Sequence, residues 1–252
     1  MTFDLAVTLE SFWNARARGE YFPAAWENRL SLDEAYAIQL AIIDRRVAQG
    51  EKQIGWKVGL TSKPIQEQFG FHEPVFGCIL DSVPSGSTLR AAELIVPGFE
   101  SELCLRIGTA LSGEVTMAQA RAAVSGVHPS LEIIETRGDL TAQIALAMAD
   151  NAQQKTVVLG DPVPLGMIAL DQVACKVVIS GAVVVEGTGA AVLGNPLHSV
   201  IWLADKLAQF GRGIRAGDII MTGSFVRQFP LATGDRVRVD YTGIGAVEVL
   251  VI

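Results

Sequence analysis

The sequence is poor in cysteine and histidine, and this scarcity excludes several kinds of site. Its 252 residues include three cysteines and three histidines. Cys78, Cys104 and Cys175 are far apart and form no C-x-x-C pair, so neither a zinc finger nor a disulfide framework is expected. We predict instead that the cysteines are small buried apolar side chains.

Long apolar runs and an excess of positive charge are also missing. No uncharged run reaches the roughly 20 residues of a transmembrane helix, and the N-terminus, MTFDLAVTLESF, lacks the basic start and apolar stretch of a signal peptide. The net charge of −7 argues against nucleic acid as the main partner. We therefore expect a cytoplasmic protein without a nucleic-acid or membrane partner. An anionic small molecule remains compatible with this charge, because a local cation can reverse the local field.

The chain has enough apolar residues for a sizeable core, and its pattern changes after about 50 residues. Half of the residues are apolar and 19% are charged, as in a folded protein. Residues 4–18 have helical spacing, and a capping box at Ser31 and Glu34 begins a second helix. Residues 1–52 are therefore predicted to form a helical N-terminal subdomain. Strands dominate afterwards, so residues 53–252 are predicted to form one integrated β-rich catalytic core, in an α+β fold.

The core sequence also contains a few helix and turn signals. We predict a short helix over residues 62–70, a helix over 116–125 that Gly126 closes, and a late helix that ends at Gly211. A hairpin is predicted around Ser180 and Gly181.

The stretch VPGFESELCLRIG (96–108) places two glutamates at the start of a strand-like segment. Residues two apart on a strand point to the same face, so the Cα atoms of Glu100 and Glu102 would lie about 7 Å apart on one face. Such like charges repel unless water or a cation lies between them. An isolated E-x-E is more often a solvated strand face, but a hard cation such as Mg²⁺ or Mn²⁺ would bridge the two carboxylates.

A second stretch, HPSLEIIETRGD (128–139), strengthens the metal hypothesis. It places Glu132 among apolar residues, where an unpaired carboxylate is costly. A cation shared with the E-x-E glutamates would satisfy it. Glu135 falls on the opposite face of a regular strand, and we expect it to pair with Arg137 or another base.

A lysine between glycines provides a further candidate. In IGWKVGLTS, Lys57 points away from the alternating apolar face, and Gly55 and Gly59 leave room beside its ammonium group for a small anion. The alternative is a surface lysine on an edge strand.

Together these segments resemble the 2-oxopent-4-enoate hydratase and 4-oxalocrotonate decarboxylase group within the fumarylacetoacetate hydrolase superfamily. The resemblance covers most of the chain, from about residue 30 to the end. The matching segments are GWKVGLTS (55–62), EPVFG (73–77), PGFESE (97–102), SLEIIETR (130–137), ADNA (149–152), VVLG (157–160), GAAVLGNPLHSVIWLADKL (189–207) and AGDIIMTGS (216–224).

The resemblance implies a mixed β-roll core, a ring-like homo-oligomer and a small-molecule substrate. It also implies that Glu100, Glu102 and Glu132 hold a divalent metal, Mg²⁺ or Mn²⁺, and that Lys57 lies in the substrate pocket as a catalytic residue. The implied enzyme is a lyase of aromatic-compound breakdown that adds water to a 2-hydroxy-2,4-dienoate and forms a 4-hydroxy-2-oxo acid. Decarboxylation of a 2-oxo-3-enedioate, acylpyruvate hydrolysis and a non-catalytic ligand-binding role are the alternatives.

One residue departs from the hydratase pattern and bears on this choice. Hydratases of the group commonly have aspartate where EPVFG has Val75, and the decarboxylases have an apolar residue there. The neutral Gln153 favours hydration, because a second carboxylate on the substrate would be better served by a basic residue. Lys155 or Arg137 could still provide that base.

Further site residues are predicted with the alternatives open. Asp81 is predicted to be a catalytic acid or base, or else a turn residue before Pro84. The residues predicted to bind substrate or to support the pocket are His72, Asn151, Gln153, Thr222 and Ser224.

Overall fold

We obtained a computed structural model of the chain that describes residues 3–63, 66–67 and 70–252. Part of the short helix predicted over residues 62–70 therefore lies outside the described residues. No helix within the described ranges is long and apolar enough to cross a bilayer.

Two helices near the N-terminus begin at the residues that the sequence indicates. Helix α1 spans Leu5–Ala17, and its cap, Asp4, accepts a hydrogen bond from a first-turn backbone amide. Helix α2 spans Leu32–Ala48. Its capping box is confirmed, because the Ser31 hydroxyl accepts from the Glu34 amide while the Glu34 carboxylate accepts from the Ser31 amide.

The strands follow from residue 55 onward, as the α+β prediction requires. In chain order they are β1 (Gly55–Gly59), β2 (Val75–Ile79), β3 (Ser82–Pro84), β4 (Thr88–Leu89), β5 (Pro97–Ile107), β6 (Val124–Glu135), β7 (Gln154–Leu159), β8 (Ala174–Ile179), β9 (Ala182–Thr188), β10 (Ile219–Ser224), β11 (Phe229–Pro230), β12 (Arg236–Tyr241) and β13 (Gly245–Val251).

These strands form two sheets. The larger has the order β2-β1-β10-β5-β6-β7-β3, with β11 added beside β5, and the smaller has the order β4-β13-β12-β8-β9. The larger sheet mixes parallel pairs, such as β1 with β10, with antiparallel pairs, such as β5 with β6. The Tyr241 hydroxyl, from the smaller sheet, donates to the Ser130 carbonyl of the larger one at 3.1 Å. The predicted helical N-terminal region followed by a mixed β-roll core is thus confirmed as a fold class.

Within residues 70–252, three further α-helices lie between the strands of the core, α3 (Met117–Ala123), α4 (Ile144–Ala149) and α5 (Leu197–Ala208). The prediction that Gly126 closes α3 is wrong. The helix ends at Ala123 and Val124 is already extended, because β6 starts there and pairs with β5. The hairpin around Ser180 and Gly181 is confirmed, and both residues have positive φ, 49° and 91°.

Helix α2 joins the N-terminal region to the core. The Tyr36 ring stacks on Phe76 of β2 with centroids 4.2 Å apart. Gln39 is fully buried, and its amide nitrogen donates to the Phe76 carbonyl at 3.1 Å and to the Met148 carbonyl of α4 at 2.8 Å. The boundary between residues 52 and 53 remains a prediction.

This arrangement predicts that Gln39 stabilises the contact between α2 and the core. Gln39→Leu keeps the side-chain size but leaves two buried carbonyls without that donor, so the free energy of unfolding should fall by about 1–3 kcal/mol. Urea denaturation measures the change. Gln49→Leu, at the exposed end of the same helix, is the control and should change little. If the two variants have the same free energy of unfolding, the hydrogen bonds from Gln39 contribute nothing to stability.

Candidate metal centre and adjoining cavity

The pairing of β5 with β6 brings three glutamates together. Glu100 lies directly opposite Glu132 in this antiparallel pair, and Glu102 lies opposite Ser130. Because the two glutamates of β5 share a face and Glu132 is their cross-strand neighbour, the carboxylates converge. One oxygen from each of Glu100, Glu102 and Glu132 lies within 4.8 Å of the other two. We call these three residues the carboxylate triad.

The triad is buried without enough donors to satisfy it. Glu102 and Glu132 have no exposed surface. Glu102 Oε2 accepts from the Gly223 amide at 2.8 Å, and the Lys57 ammonium lies 3.2 Å from Glu132 Oε1. Glu102 Oε1 and Glu132 Oε2 have no hydrogen-bond donor among the described residues. Burial raises the pKa of Glu132 to about 7, although the charge of Lys57 lowers it. Burial also raises the pKa of Glu102 well above its ordinary value, and the other two carboxylates add to this.

Lys57 supplies a positive charge beside the triad. It is 5% exposed, and its Nζ lies 3.2 Å from Glu132 Oε1 as an ion pair. Burial lowers the pKa of Lys57, but the triad carboxylates outweigh burial and raise the pKa above its ordinary value. One ammonium cannot balance three carboxylates, so the ionised cluster keeps a formal charge of about −2.

The donor set therefore fits a divalent cation. Mg²⁺ and Mn²⁺ prefer oxygen ligands, and an ion of charge +2 would neutralise the cluster and satisfy the carboxylate oxygens that lack donors. The half-buried Glu100 connects this cluster to an adjoining cavity.

The two glycines beside Lys57 have different roles. A Cβ at Gly59 would lie 3.4 Å from Lys57 Nζ, so the glycine leaves space beside the ammonium group as predicted. Gly55 faces the neighbouring strand instead, where a Cβ would lie 1.9 Å from the Ile219 carbonyl oxygen. The expectation that Gly55 opens space for an anion is therefore wrong, because the close approach of β1 to β10 occupies that space.

A cavity of about 760 Å³ adjoins the triad, and we call it the triad cavity. Four of the predicted metal, catalytic and substrate-binding residues line it, namely Lys57, Glu100, Gln153 and Ser224. Val75 also lines it, so the position where hydratases commonly have aspartate is apolar and faces the cavity. Arg137, considered from the sequence as a possible base, lines the cavity as well. The lining residues that the sequence did not indicate are Leu60, Thr61, Ser62, Ile134, Thr136, Gly138, Asp139, Leu140, Thr141, Met148, Ala152, Val226, Arg227 and Gln228.

Asn151 and Thr222 do not line the triad cavity, because their side chains bind backbone groups. The Asn151 side chain accepts from the Cys78 amide at 2.7 Å and donates to the Cys78 carbonyl at 2.8 Å. The Thr222 hydroxyl donates to the Leu103 carbonyl at 2.9 Å. Neither side chain has its polar atoms turned to the cavity, and the prediction that they bind substrate directly gains no support.

Asp81 and His72 also lie away from the triad cavity. Both are exposed, and neither lines it. The Asp81 carboxylate accepts a hydrogen bond from the Thr156 hydroxyl at 3.1 Å. The structure therefore gives the proposed catalytic role of Asp81 no support, because this residue follows the end of β2 remote from Val75.

An ionic network reaches the cavity through Arg137. The guanidinium group of Arg137 pairs with Glu135, as predicted, and also with Asp150. Arg16 of α1 binds the other oxygen of Asp150 at 3.0 Å. Burial raises the pKa of Asp150 to about 6, although Arg137 lowers it. Sequence spacing gave no signal for Asp150, because its two partners, Arg16 and Arg137, come from other segments of the chain.

Comparison with known proteins identifies relatives over most of the chain. A family model described as "Fumarylacetoacetate (FAA) hydrolase C-terminal" matches residues 79–252. The chain is 35% identical over 230 residues to 2-hydroxyhexa-2,4-dienoate hydratase of Comamonas testosteroni, covering 87% of this chain and 86% of that protein. It is 36% identical over 224 residues to 4-oxalocrotonate decarboxylase of Pseudomonas sp. (strain CF600), covering 86% and 84%.

A solved structure is similar over the full length. The structure of 4-oxalocrotonate decarboxylase from Pseudomonas putida G7, complexed with magnesium and adipate, superposes with a TM-score of 0.90. The two sequences are 32% identical, and the match covers 100% of this chain and 99% of that one.

The geometry predicts how the triad responds to charge removal. Glu102→Gln keeps an acceptor for the Gly223 amide but removes one of three mutually repelling charges. Without metal, its melting temperature should therefore equal or exceed that of the wild type. Its affinity for Mn²⁺ should fall about tenfold or more, because an anionic oxygen ligand is lost. Calorimetric titration with Mn²⁺ and thermal melts measure both effects. Glu93→Gln, at an exposed glutamate, is the control, and an undiminished Mn²⁺ response of Glu102→Gln would contradict the metal centre.

Proposed function

This chain belongs to the family of fumarylacetoacetate hydrolase C-terminal domains, and we propose that it is a metal-dependent lyase that adds water to a 2-hydroxy-2,4-dienoate. The observation that carries the proposal is the convergence of three carboxylates, two of them fully buried, beside Lys57 at a cavity that Lys57 and Glu100 line. The relatedness to dienoate hydratases over most of the chain supports the reaction class.

We assign Glu100, Glu102 and Glu132 as ligands of Mg²⁺ or Mn²⁺. Their unsatisfied oxygens and their net negative charge support the assignment. When bound, such an ion supplies Lewis-acid stabilisation of negative charge at the substrate's C1 carboxylate and C2 oxygen.

Lys57 is the catalytic residue that we assign from this chain. Its ammonium group is held at the junction of the triad and the cavity, and the triad keeps it protonated. It is therefore placed to bind the C1 carboxylate or the C2 oxygen and to stabilise the charge that develops there. Ser224 and Gln153 line the same cavity and are assigned to substrate binding. Their side chains also bind backbone groups, since the Ser224 hydroxyl donates to the Ser101 carbonyl at 3.3 Å and the Gln153 amide donates to the Gly138 carbonyl at 3.1 Å.

The proposed reaction adds one water molecule to one dienoate. The enol proton leaves the C2 oxygen and C5 gains a proton, which gives a 2-oxo-3-enoate. The hydroxyl group of water then bonds to C4, and the remaining proton ends on C3. The product is a 4-hydroxy-2-oxo acid. Val75 and Met148 are among the apolar residues that line this cavity.

A second candidate is decarboxylation of a 2-oxo-3-enedioate, and Val75 favours it. Decarboxylation needs no attacking water, since the bond to the distant carboxylate breaks and its electrons move to the C2 oxygen. An apolar residue at position 75 is compatible with that chemistry. The structural similarity to 4-oxalocrotonate decarboxylase is consistent with this alternative.

We further propose that the protein works in the cytoplasm, in the breakdown of aromatic compounds, and as a homo-oligomer. The three free and buried cysteines are consistent with a reducing compartment. Size-exclusion chromatography with light scattering measures the oligomeric state.

The reaction class is tested by supplying purified protein and Mg²⁺ with 2-hydroxypenta-2,4-dienoate and, separately, 2-oxo-3-hexenedioate. We expect the absorbance of the dienoate to fall and a 4-hydroxy-2-oxo acid to form, with the rate lost in EDTA and restored by Mg²⁺. Consumption of the diacid alone, with release of CO₂, would replace hydration by the second candidate. Failure to consume either compound would remove both.

The role of Lys57 is tested by Lys57→Met, which keeps an unbranched stem but removes the charge. We expect kcat to fall about 100-fold or more, because charge stabilisation in the transition state is lost. Lys155→Met is the control, since Lys155 lies outside the cavity lining and its side chain is 41% exposed. Unchanged turnover in Lys57→Met would leave the lysine only a structural role.

A further inference from the structure

Besides Lys57, two basic side chains line the triad cavity, and their surroundings differ. Arg137 is 3% exposed at its side chain and pairs with two carboxylates, Glu135 and Asp150. These partners neutralise it, so it is not available to bind a further anion. Lys155, the other base considered from the sequence, pairs with Glu135 at 3.6 Å and does not line the cavity.

Arg227 is the second cavity arginine, and no carboxylate lies within ion-pair distance of it among the described residues. Its side-chain hydrogen bond is a long one, 3.4 Å to the carbonyl of Gln228. The guanidinium group lies over the Phe229 ring, 4.0 Å from the centroid. A stacked guanidinium keeps its donor edges free in the plane of the group, which suits it to bind a carboxylate through two parallel hydrogen bonds.

Arg227 is itself exposed, but the ring beneath its guanidinium group is anchored to the strand that carries the triad. Phe229 is 5% exposed and pairs in β11 with Phe99 of β5, the residue before Glu100. The two rings stack with centroids 5.7 Å apart. The neighbouring Gln228 amide occupies space that Gly98 leaves open, since a Cβ there would lie 2.6 Å from its Nε2. Arg227 is therefore placed on a packed support.

The lining of the cavity thus includes Lys57 beside the carboxylate triad, an arginine without a carboxylate partner among the described residues, and several apolar side chains. Leu60, Ile134, Leu140, Met148 and Val226 are among these apolar lining residues. The other charged lining residue, Asp139, is exposed and caps the turn at Ala142 with a 3.0 Å hydrogen bond. This distribution suits an unsaturated carbon chain with an anionic group at each end.

We propose that Arg227 is a specificity-determining residue that binds a carboxylate at the far end of the substrate. The preferred substrate is then a dicarboxylic 2-hydroxy-2,4-dienoate rather than an unsubstituted one. This inference rests on the proposed function for the reacting end of the substrate and adds the chemistry of the other end.

The first test compares two dienoates of equal chain length, 2-hydroxyhepta-2,4-dienoate and 2-hydroxyhepta-2,4-diene-1,7-dioate, with Mg²⁺ present. The wild type should have the higher kcat/KM for the diacid. Arg227→Gln should lower kcat/KM for the diacid about 10- to 100-fold, mainly through KM, and change the monoacid value by less than about threefold. Arg227→Lys should retain part of the preference, because it keeps the charge but not the planar pair of donors.

The control is Arg236→Gln. Arg236 is an exposed arginine of β12 in the smaller sheet that does not line the triad cavity. The Arg236→Gln variant loses one positive charge, as Arg227→Gln does. It therefore separates a local effect of Arg227 from a change in the protein's overall electrostatic field. Both kcat/KM values should stay unchanged in this variant.

A second measurement does not depend on turnover. Calorimetric titration in Mg²⁺ compares adipate with hexanoate, which have six carbons and differ by one carboxylate. The wild type should bind adipate more tightly, and Arg227→Gln should weaken adipate binding about tenfold or more while leaving hexanoate unchanged. If the wild type consumes neither dienoate, the proposed reaction fails, and the ratio of the two affinities still decides the role of Arg227.

The proposal is overturned if the wild type shows no preference for the dicarboxylate in binding. It is also overturned if Arg227→Gln affects both acids equally or if Arg236→Gln has the same selective effect. Circular dichroism of each variant shows whether the fold is kept, and a loss of fold in Arg227→Gln leaves Arg227→Lys to decide by the same affinity ratio.

Discussion

The burial of three carboxylates beside one ammonium group is the constraint on which the rest of the site depends. Taking a carboxylate out of water costs free energy unless it gains a partner, and Glu102 and Glu132 have no exposed surface. Lys57 and the Gly223 amide offset only part of this cost. The site is therefore built to receive a cation, and the surrounding strands must hold the charged groups together against their mutual repulsion.

The sheet provides this rigidity through backbone pairing. The antiparallel pair of β5 and β6 runs through the whole site, and β10 flanks β5 on its other side. A bulge in the pairing of β5 with β10, between Met221 and Ser224, turns the Gly223 amide toward Glu102. Gly223 has φ of 111°, and a Cβ there would lie 2.2 Å from the Thr61 hydroxyl oxygen. Glycine is therefore required where this donor approaches the triad.

The segment that contributes Met148, Ala152 and Gln153 to the cavity lining depends on the N-terminal helices. Arg16 of α1 reaches Asp150, and Gln39 of α2 binds the carbonyl of Met148. Asn151, Ala152 and Gln153 follow with positive φ of 58°, 49° and 58°. Such backbone is costly for residues with a Cβ and persists where the surroundings fix it. The N-terminal helices thus support the segment that lines the cavity. Arg16 and Gln39 therefore help to shape the substrate site although they do not belong to the triad.

Local chemistry in the sequence predicted much of this protein. Capping residues such as Ser31 begin helices through bonds to neighbouring residues, and alternation along a strand puts Glu100 and Glu102 on one face, so both features follow from short spacings. The resemblance of ordered segments also indicated the fold class and the metal-binding glutamates. The sequence separately identified Lys57 from the glycines beside it, although only Gly59 has the expected role.

Pairing between distant segments determined the features that local sequence patterns could not predict. The register of β5 against β6 sets Glu132 opposite Glu100, and no local pattern specifies the pairing of two residues that lie 32 positions apart in the chain. The tertiary structure also decided which of the predicted site residues line the cavity and which do not. Thr222 and Asn151 bind backbone carbonyls, Asp81 lies outside the cavity, and Arg227 enters it through a turn beside β11. A side chain's partners depend on which distant segments pack against it, and only the folded chain determines them.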